Sequence, residues 1–513
     1  MAKLQPNYKT SNVMNGVMMR FLNLVERLGN RIPHPFTLFL YLTFIVIVVS
    51  WIGNYMGLSA VHPGKGEEIA VKSLVSKEGL EYFLESMVNN FTSFKPLGLV
   101  LVIALGIGMA DKVGLFEATI KKALINAPKS LITYAVLFIG ILGNLASDAA
   151  YVIVPPLAAM IFHSVGRHPV AGLATGIAGV GCGFTANFFI AGTDVLLSGI
   201  TTEVSKVIDP AVVVTPVDNW FFMSASVLLL TVVGAFVTDK IVEPRLGIYQ
   251  EDIIQEKMAS VTPLENKALR NTLLVALMFI GLVALILFIP NSPLRGENGS
   301  IMQSPFMSGI IVFILAFFLL TGYTYGRTLG IIKKAEDAIN FMSQSIKDMS
   351  GFIVLVFVVS QFIAFLNWSN ITVWLAVKGA ELLKTIQLDG LPLIIVFVLI
   401  TTMLNLLITS GSAQWSIMAP IFVPMFMLMD FHPAFVQVAF RIGDSATNFI
   451  TPMQPFVAVM LAYLVRYDKK AGLGTHISLI LPYTVAFLIA WIAMLCIFAI
   501  FEIPVGPGVS MHL

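Results

Sequence analysis

Apolar blocks of roughly 17–25 residues recur along the chain, each long enough to cross the ~30 Å hydrocarbon core of a bilayer as a helix. They lie at about 35–56, 96–112, 217–238, 268–289, 305–325, 350–367 and 476–502. Charged residues make up 12% of the chain, about half the ~25% usual for soluble domains, so the blocks read as spans of a polytopic membrane protein. The net charge of +2 points to no nucleic-acid partner. Cys182 and Cys496 both lie in apolar stretches and support neither a disulfide framework nor a thiolate metal site. Residues 1–33 carry Val13, Met14, Val17, Met18, Phe21, Leu24, Val25 and Leu28 at helical spacing, with Arg20, Arg27 and Arg31 among them. That pattern fits a cytoplasmic amphipathic helix on the membrane surface or a short core-packed helix.

Four regions are apolar but interrupted. Residues 130–165 break at Gly143–Asp148 and residues 392–430 at Thr409–Gln414, leaving flanks of about 15 residues, too short to span. Helix, polar tip and helix is the form of a re-entrant hairpin, whose irregular backbone survives at depth only inside protein or along a cavity. Residues 169–194 and 433–460 each follow a His-Pro pair and hold polar residues midway, so they read as broken helices. Nine spans and two hairpins result. With the N-terminus inside, 22 basic residues fall in cytoplasmic segments and eight outside, with Arg441 left within a span. This bias places the C-terminus outside and the two hairpins on opposite sides.

The halves can be laid over one another. His34-Pro35-Phe36 matches Ser304-Pro305-Phe306, Ser147 matches Ser412, and Pro155 matches Pro420. His168-Pro169 matches His432-Pro433 and Asn187-Phe188 matches Asn448-Phe449, all at an offset of about 261–270. The units are 34–247 with its hairpin, a connecting loop and span at 248–303, 304–505 with the second hairpin, and a tail at 506–513. Opposite starting sides make the repeat inverted, the arrangement that sets a binding site at the midplane of many secondary transporters.

Ionisable groups inside spans are costly and are functional candidates by default. They are Asp148 at the first tip, Asp194, and Arg441 with Asp444, whose i, i+3 spacing puts them on one helical face. The trio is either a structural ion-pair clamp, or Arg441 meets a substrate carboxylate while Asp444 joins in ion coupling. Asn144, Ser147, Asn187, Ser412 and Asn448 offer neutral oxygens suited to Na⁺, or else cap the hairpin helices. Trp415, beside the second tip, either stacks on an aromatic solute or packs in the core. Gly106-Ile107-Gly108 and Gly179-Val180-Gly181-Cys182-Gly183 lack the dinucleotide fingerprint and fit close helix packing better. No Walker A segment, metal-ligand spacing or nucleophile–base motif appears. A channel would lack mirrored broken helices, and a membrane enzyme would need a catalytic constellation that is not visible.

Asp194, the stretch Asn405 to Trp415 with Ser412, and the run from Pro433 through Arg441 and Asp444 to Pro452 resemble the p-aminobenzoyl-glutamate transporter family, over about residues 15–505. The resemblance implies a homodimer in the bacterial inner membrane, with nine helices and two opposed hairpins per protomer and elevator motion. It implies that Asp194, Asn405, Ser412, Trp415, Pro433, Arg441, Asp444 and Pro452 line a central site. The implied cargo is p-aminobenzoyl-glutamate or a related aromatic carboxylate; efflux of sulfonamide-type antimetabolites is the alternative. The tips, Asn144-Leu-Ala-Ser147 and Ser410-Gly-Ser412, differ from the Ser-Asn-Thr signature of sodium/dicarboxylate relatives. Proton and sodium coupling both stay open, with no cofactor beyond a bound Na⁺.

Overall fold

The computed structural model describes residues 31–513 except 62–65, 147, 250–260, 297–298 and 302–303, together with Arg20, Leu24 and Arg27. The amphipathic reading of 1–33, and Ser147 with the side chain of Asp148, lie outside what is described.

Helices dominate. In the first half they are α1 (Pro35–Tyr55), α2 (Lys77–Thr92), α3 (Lys95–Lys112), α4 (Leu115–Ile125), α5 (Ile132–Leu142), α6 (Asp148–Ser164), α7 (Pro169–Ile177), α8 (Gly192–Ser205) and α9 (Trp220–Val237). After the connector α10 (Pro263–Phe288) come α11 (Ile310–Leu329), α12 (Ala335–Asp348), α13 (Ser350–Trp368), α14 (Ile371–Thr385) and α15 (Gly390–Asn405). The chain closes with α16 (Gly411–Met427), α17 (Pro433–Ala446), α18 (Val457–Tyr467) and α19 (Leu473–Ile500). A two-stranded hairpin pairs Ser59–Val61 with Glu68–Ala70. All seven predicted continuous spans are found as apolar helices among the described residues; six have ends shifted by up to eight residues, and the one at 96–112 is directly preceded by α2, so that the apolar stretch runs Lys77–Lys112. By length and apolarity the described residues give seven such helices, or up to nine if each of two bent pairs, 115–125 with 129–145 at 111° and α14 with α15 at 120°, is one span; the expected nine counted the broken segments at 169–194 and 433–460 instead.

Composition explains the long helices. In α1, Pro35 occupies the first turn, where no intrahelical N–H is needed, and the His34 ring accepts the amide of Phe36. Tyr41, Phe44, Ile45 and Trp51 are exposed along it, as suits a helix facing lipid. The sequence reading missed α2, α4, α12 and α14 because each is short or amphipathic. In α12 the Asp337 carboxylate accepts the amides of Lys333 at 2.7 Å and Lys334 at 2.8 Å, which also holds its carboxyl below the usual range.

With these helices included, the repeat is closer than the sequence pairs suggested. Leaving out one-turn pieces, α1 to α9 recur in order as α11 to α19. The packing is exchanged in the same sense. α1 and α2 lie on α13, while α11 and α12 lie on α3. Gly106 and Gly108 make the second contact possible: a Cβ on Gly106 would stand 3.0 Å from the Leu315 carbonyl, and one on Gly108 only 1.7 Å from Ser345 Oγ. The Ser345 hydroxyl donates across this notch to the Ala104 carbonyl at 2.7 Å. The glycines therefore serve helix packing, as expected.

The hairpin regions consist of α5 and α6 joined through 143–147, and α15 and α16 joined through 406–410. Prolines recur inside the return helices, Pro155 and Pro156 in α6 and Pro420 and Pro424 in α16, each removing a ladder hydrogen bond. The His-Pro pairs start α7 and α17 alike, with the imidazoles of His168 and His432 each accepting an amide two residues on at 3.2 Å. Both helices then unwind. α7 passes through a wide turn at Ala178–Cys182 and stays irregular until Gly192, and α17 ends at Ala446 before turns that last until Val457.

Candidate functional site

The two unwound segments meet in the interior. A Cβ at Gly181 would lie 2.2 Å from the Phe449 ring, so only glycine permits the approach. Where they meet, the Thr185 and Ser445 hydroxyls are 2.7 Å apart, and an Arg441 guanidinium N–H donates to the Thr185 carbonyl at 2.8 Å. The unwinding frees backbone carbonyls, and that of Thr185 finds its donor in the other half.

Charge is arranged unevenly here. Arg441 Nη1 lies 2.7 Å from Asp194 Oδ1, and both side chains are almost wholly buried. Asp194 is in the first turn of α8, where its other oxygen accepts the Ala191 amide at 2.7 Å and the Asn187 amide group at 3.5 Å. Arg441 is thus bound to the opposite half of the repeat and not to Asp444, its neighbour on the same helical face. Asp444 is left with no ion pair among the described residues, and its Oδ1 has no hydrogen-bond partner. Its other oxygen faces Gly411, the first residue of α16, where a Cβ would stand 2.6 Å away. The amide-rich N-terminus of α16 is a polar feature placed to favour this carboxylate.

An asparagine closes each hairpin's first helix onto its own half's unwound segment. Asn144 donates to the carbonyls of Ile141 at 2.9 Å and Gly183 at 3.3 Å. Asn405 donates to the Asp444 carbonyl, to Thr447 Oγ1 at 2.9 Å and to Asn448 Oδ1 at 3.2 Å. In both, the amide oxygen is buried and unpartnered. Such an oxygen costs free energy unless something transient meets it, and a small cation or a water would do so.

The remaining candidates divide. Trp415 is fully buried, its ring tilted on Phe440 with centroids 4.5 Å apart and its indole N–H donating to Thr201 at 3.0 Å. It packs in the core here. Ser412 is half-buried, its hydroxyl 3.2 Å from that of Ser410. Pro433 starts α17 and Pro452 lies in the turns beyond it. Of the suggested sodium ligands, Asn144 and Asn187 belong to the first half's segment, Ser412 and Asn448 to the second's, and the oxygen of Asn448 is already taken by Asn405. Among the described residues no three His, Cys, Asp or Glu side chains gather as a metal site. Sequence reasoning missed a buried chain running from Thr201 to Gln437 (2.6 Å), to Asn219 (2.8 Å), to the Ala434 carbonyl (2.9 Å). Gln437, a lone amide in an otherwise apolar part of α17, was its one visible signal.

Mirrored nine-helix halves, unwound segments that meet beside a buried ion pair, and a lone carboxylate beside a helix N-terminus define a membrane transporter of the discontinuous-helix class. Residues 20–513 match the profile of the AbgT transporter family. The chain belongs to that family. It is 46% identical over 490 residues to the p-aminobenzoyl-glutamate transport protein of Escherichia coli K12, covering 95% of this chain and 96% of that one. It is similar to the YdaH transporter of Alcanivorax borkumensis, at 35% identity and a TM-score of 0.88 over 93% of this chain and 100% of that one. It is also similar to Neisseria gonorrhoeae MtrF, described within a class of antimetabolite efflux pumps, at 45% identity and a TM-score of 0.91 over 96% of this chain and 100% of that one.

Proposed function

We propose that this protein is a secondary active transporter of p-aminobenzoyl-glutamate or related aromatic carboxylates, driven by a proton or sodium gradient. The observation that carries the coupling is the unpaired Asp444 beside a satisfied Arg441–Asp194 pair. With Arg441 neutralised by Asp194, ionised Asp444 leaves one net negative charge in a site shielded from water. Desolvation opposes that bare anion, so a proton or a small cation neutralises it. The unpartnered oxygen of Asn405, whose amide is tied to the Asp444 backbone, is a second ligand for such a cation. A loaded site crosses the low-dielectric barrier at less cost than an empty one, which links cargo movement to the ion gradient.

The rest of the reading follows the family. The protein acts as a homodimer in the bacterial inner membrane, with its N-terminus cytoplasmic and C-terminus outside, nine spans and two opposed hairpins per protomer. The polar core slides as an elevator against the exchanged helices α1, α3, α11 and α13. Efflux of antimetabolites is the second reading, favoured by the 45% identity to the Neisseria protein; the same site serves either direction. The test is accumulation of labelled p-aminobenzoyl-glutamate in proteoliposomes under separately imposed Na⁺ and proton gradients. One gradient should drive it in the wild type and neither in Asp444→Asn. Gradient-driven uptake that survives Asp444→Asn overturns the coupling role.

A further inference from the structure

Two cavities lie outside the ion-pair site. The larger, about 1080 Å³, is an open cleft lined by α4, α10, α11 and the first hairpin tip, with Lys122, Lys267 and Arg270 in its wall. The smaller, about 430 Å³, is lined almost wholly by apolar and aromatic side chains. Phe189, Phe317 and Phe318 belong to both, so the two meet at an aromatic waist. Leu145 at the hairpin tip and Phe189, on the unwound segment that leads to Asp194, form the inner wall of the larger cavity.

Resting on the reading above, we propose that the larger cavity is a vestibule binding amphipathic organic anions, upstream of the Asp194–Arg441–Asp444 site. Lys122, Lys267 and Arg270 meet the carboxylate end, and the aromatic waist holds the ring.

Charge carries the case. Three cations share one cavity wall that contains no acidic side chain. Among the described residues none of the three has an ion-pair partner, whereas nearby Lys121 and Lys112 pair with Glu117 and Asp348. Like charges collected beside low-dielectric walls repel one another and raise the local concentration of anions. Thr272, a buried residue of the same wall, has a hydroxyl with no partner. The volume suits a ligand of drug size, and apolar walls with a few convergent polar groups are the usual composition of an organic-ligand site. An anionic lipid headgroup shares this chemistry, so the test must separate the two sources.

The experiment measures binding of p-aminobenzoyl-glutamate, and of its uncharged ester, to the purified full-length protein in phosphatidylcholine nanodiscs over a range of ionic strength. The wild type is compared with K122Q/K267Q/R270Q. The expected result is a Kd for the anion raised about tenfold, a flattened salt dependence and an unchanged Kd for the ester. An unchanged anion Kd, or an equal shift for the ester, overturns the vestibule. So does a difference seen only when phosphatidylglycerol is added, which assigns the cavity to lipid. Absence of wild-type binding overturns it as well. Binding that the triple variant weakens, without gradient-driven transport, sinks the proposed function and leaves the vestibule standing. Should the triple variant melt early, Lys267→Gln at an exposed position reads the same effect at about twofold.

Discussion

Replacing Asp194 by Asn should destabilise the protein, while the same change at Asp444 should not. Arg441 cannot shed its proton, and the 2.7 Å contact with Asp194 is its one ionic partner among the described residues. Unit charges about 4 Å apart interact by about 4 kcal/mol at an effective dielectric near 20. Asn at 194 keeps a carbonyl oxygen for the Ala191 amide, so the capping bond survives and the loss is confined to the charge. Breaking one partner of a buried pair costs about 3–5 kcal/mol, because the other charge is stranded. Asp444→Asn strands nothing: among the described residues its carboxylate has no ionic partner and an unpaired Oδ1, so stability should hold or rise. The assay is thermal unfolding of the purified protein in detergent, followed by tryptophan fluorescence, beside the transport rate in liposomes. Asp194→Asn should melt well below the wild type, and Asp444→Asn should lose transport at a wild-type melting temperature. Equal losses of stability in the two variants would refute the division into a clamped pair and a free carboxylate.

Gly411→Ala places a methyl group 2.6 Å from Asp444 Oδ2 and should abolish transport while costing about 1–3 kcal/mol of stability; Asp444→Ala in the same chain should restore the melting temperature but not transport, and failure of that rescue would count against the contact. Trp415→Phe removes the indole hydrogen bond to Thr201 and should cost about 1–3 kcal/mol, with substrate Kd unchanged because the ring is buried on Phe440. A large rise in Kd at wild-type stability would show instead that Trp415 touches the substrate.

The long spans, the broken regions and the candidate charges could be read without coordinates, because lipid imposes length and composition on any segment that crosses it. Pro35, Pro169 and Pro433 announced helix starts through a local property, a fixed φ and a missing N–H, that needs no partner. The repeat was visible for the same reason, in His-Pro pairs and hairpin tips that recur at one spacing. α2, α4, α12 and α14 escaped because a short or amphipathic helix is held by what it packs against, and Ser345 finds the Gly108 notch only once α12 lies on α3. Which acid Arg441 pairs with was beyond the sequence. Helical spacing put Asp444 on the same face, three residues away, but the packing of α8 against α17 brings Asp194 from the other half to 2.7 Å. That choice, which leaves Asp444 alone at the start of α16, belongs to the tertiary structure: a salt bridge forms where the backbone can carry two groups together, and local spacing says nothing about a segment 247 positions away along the chain.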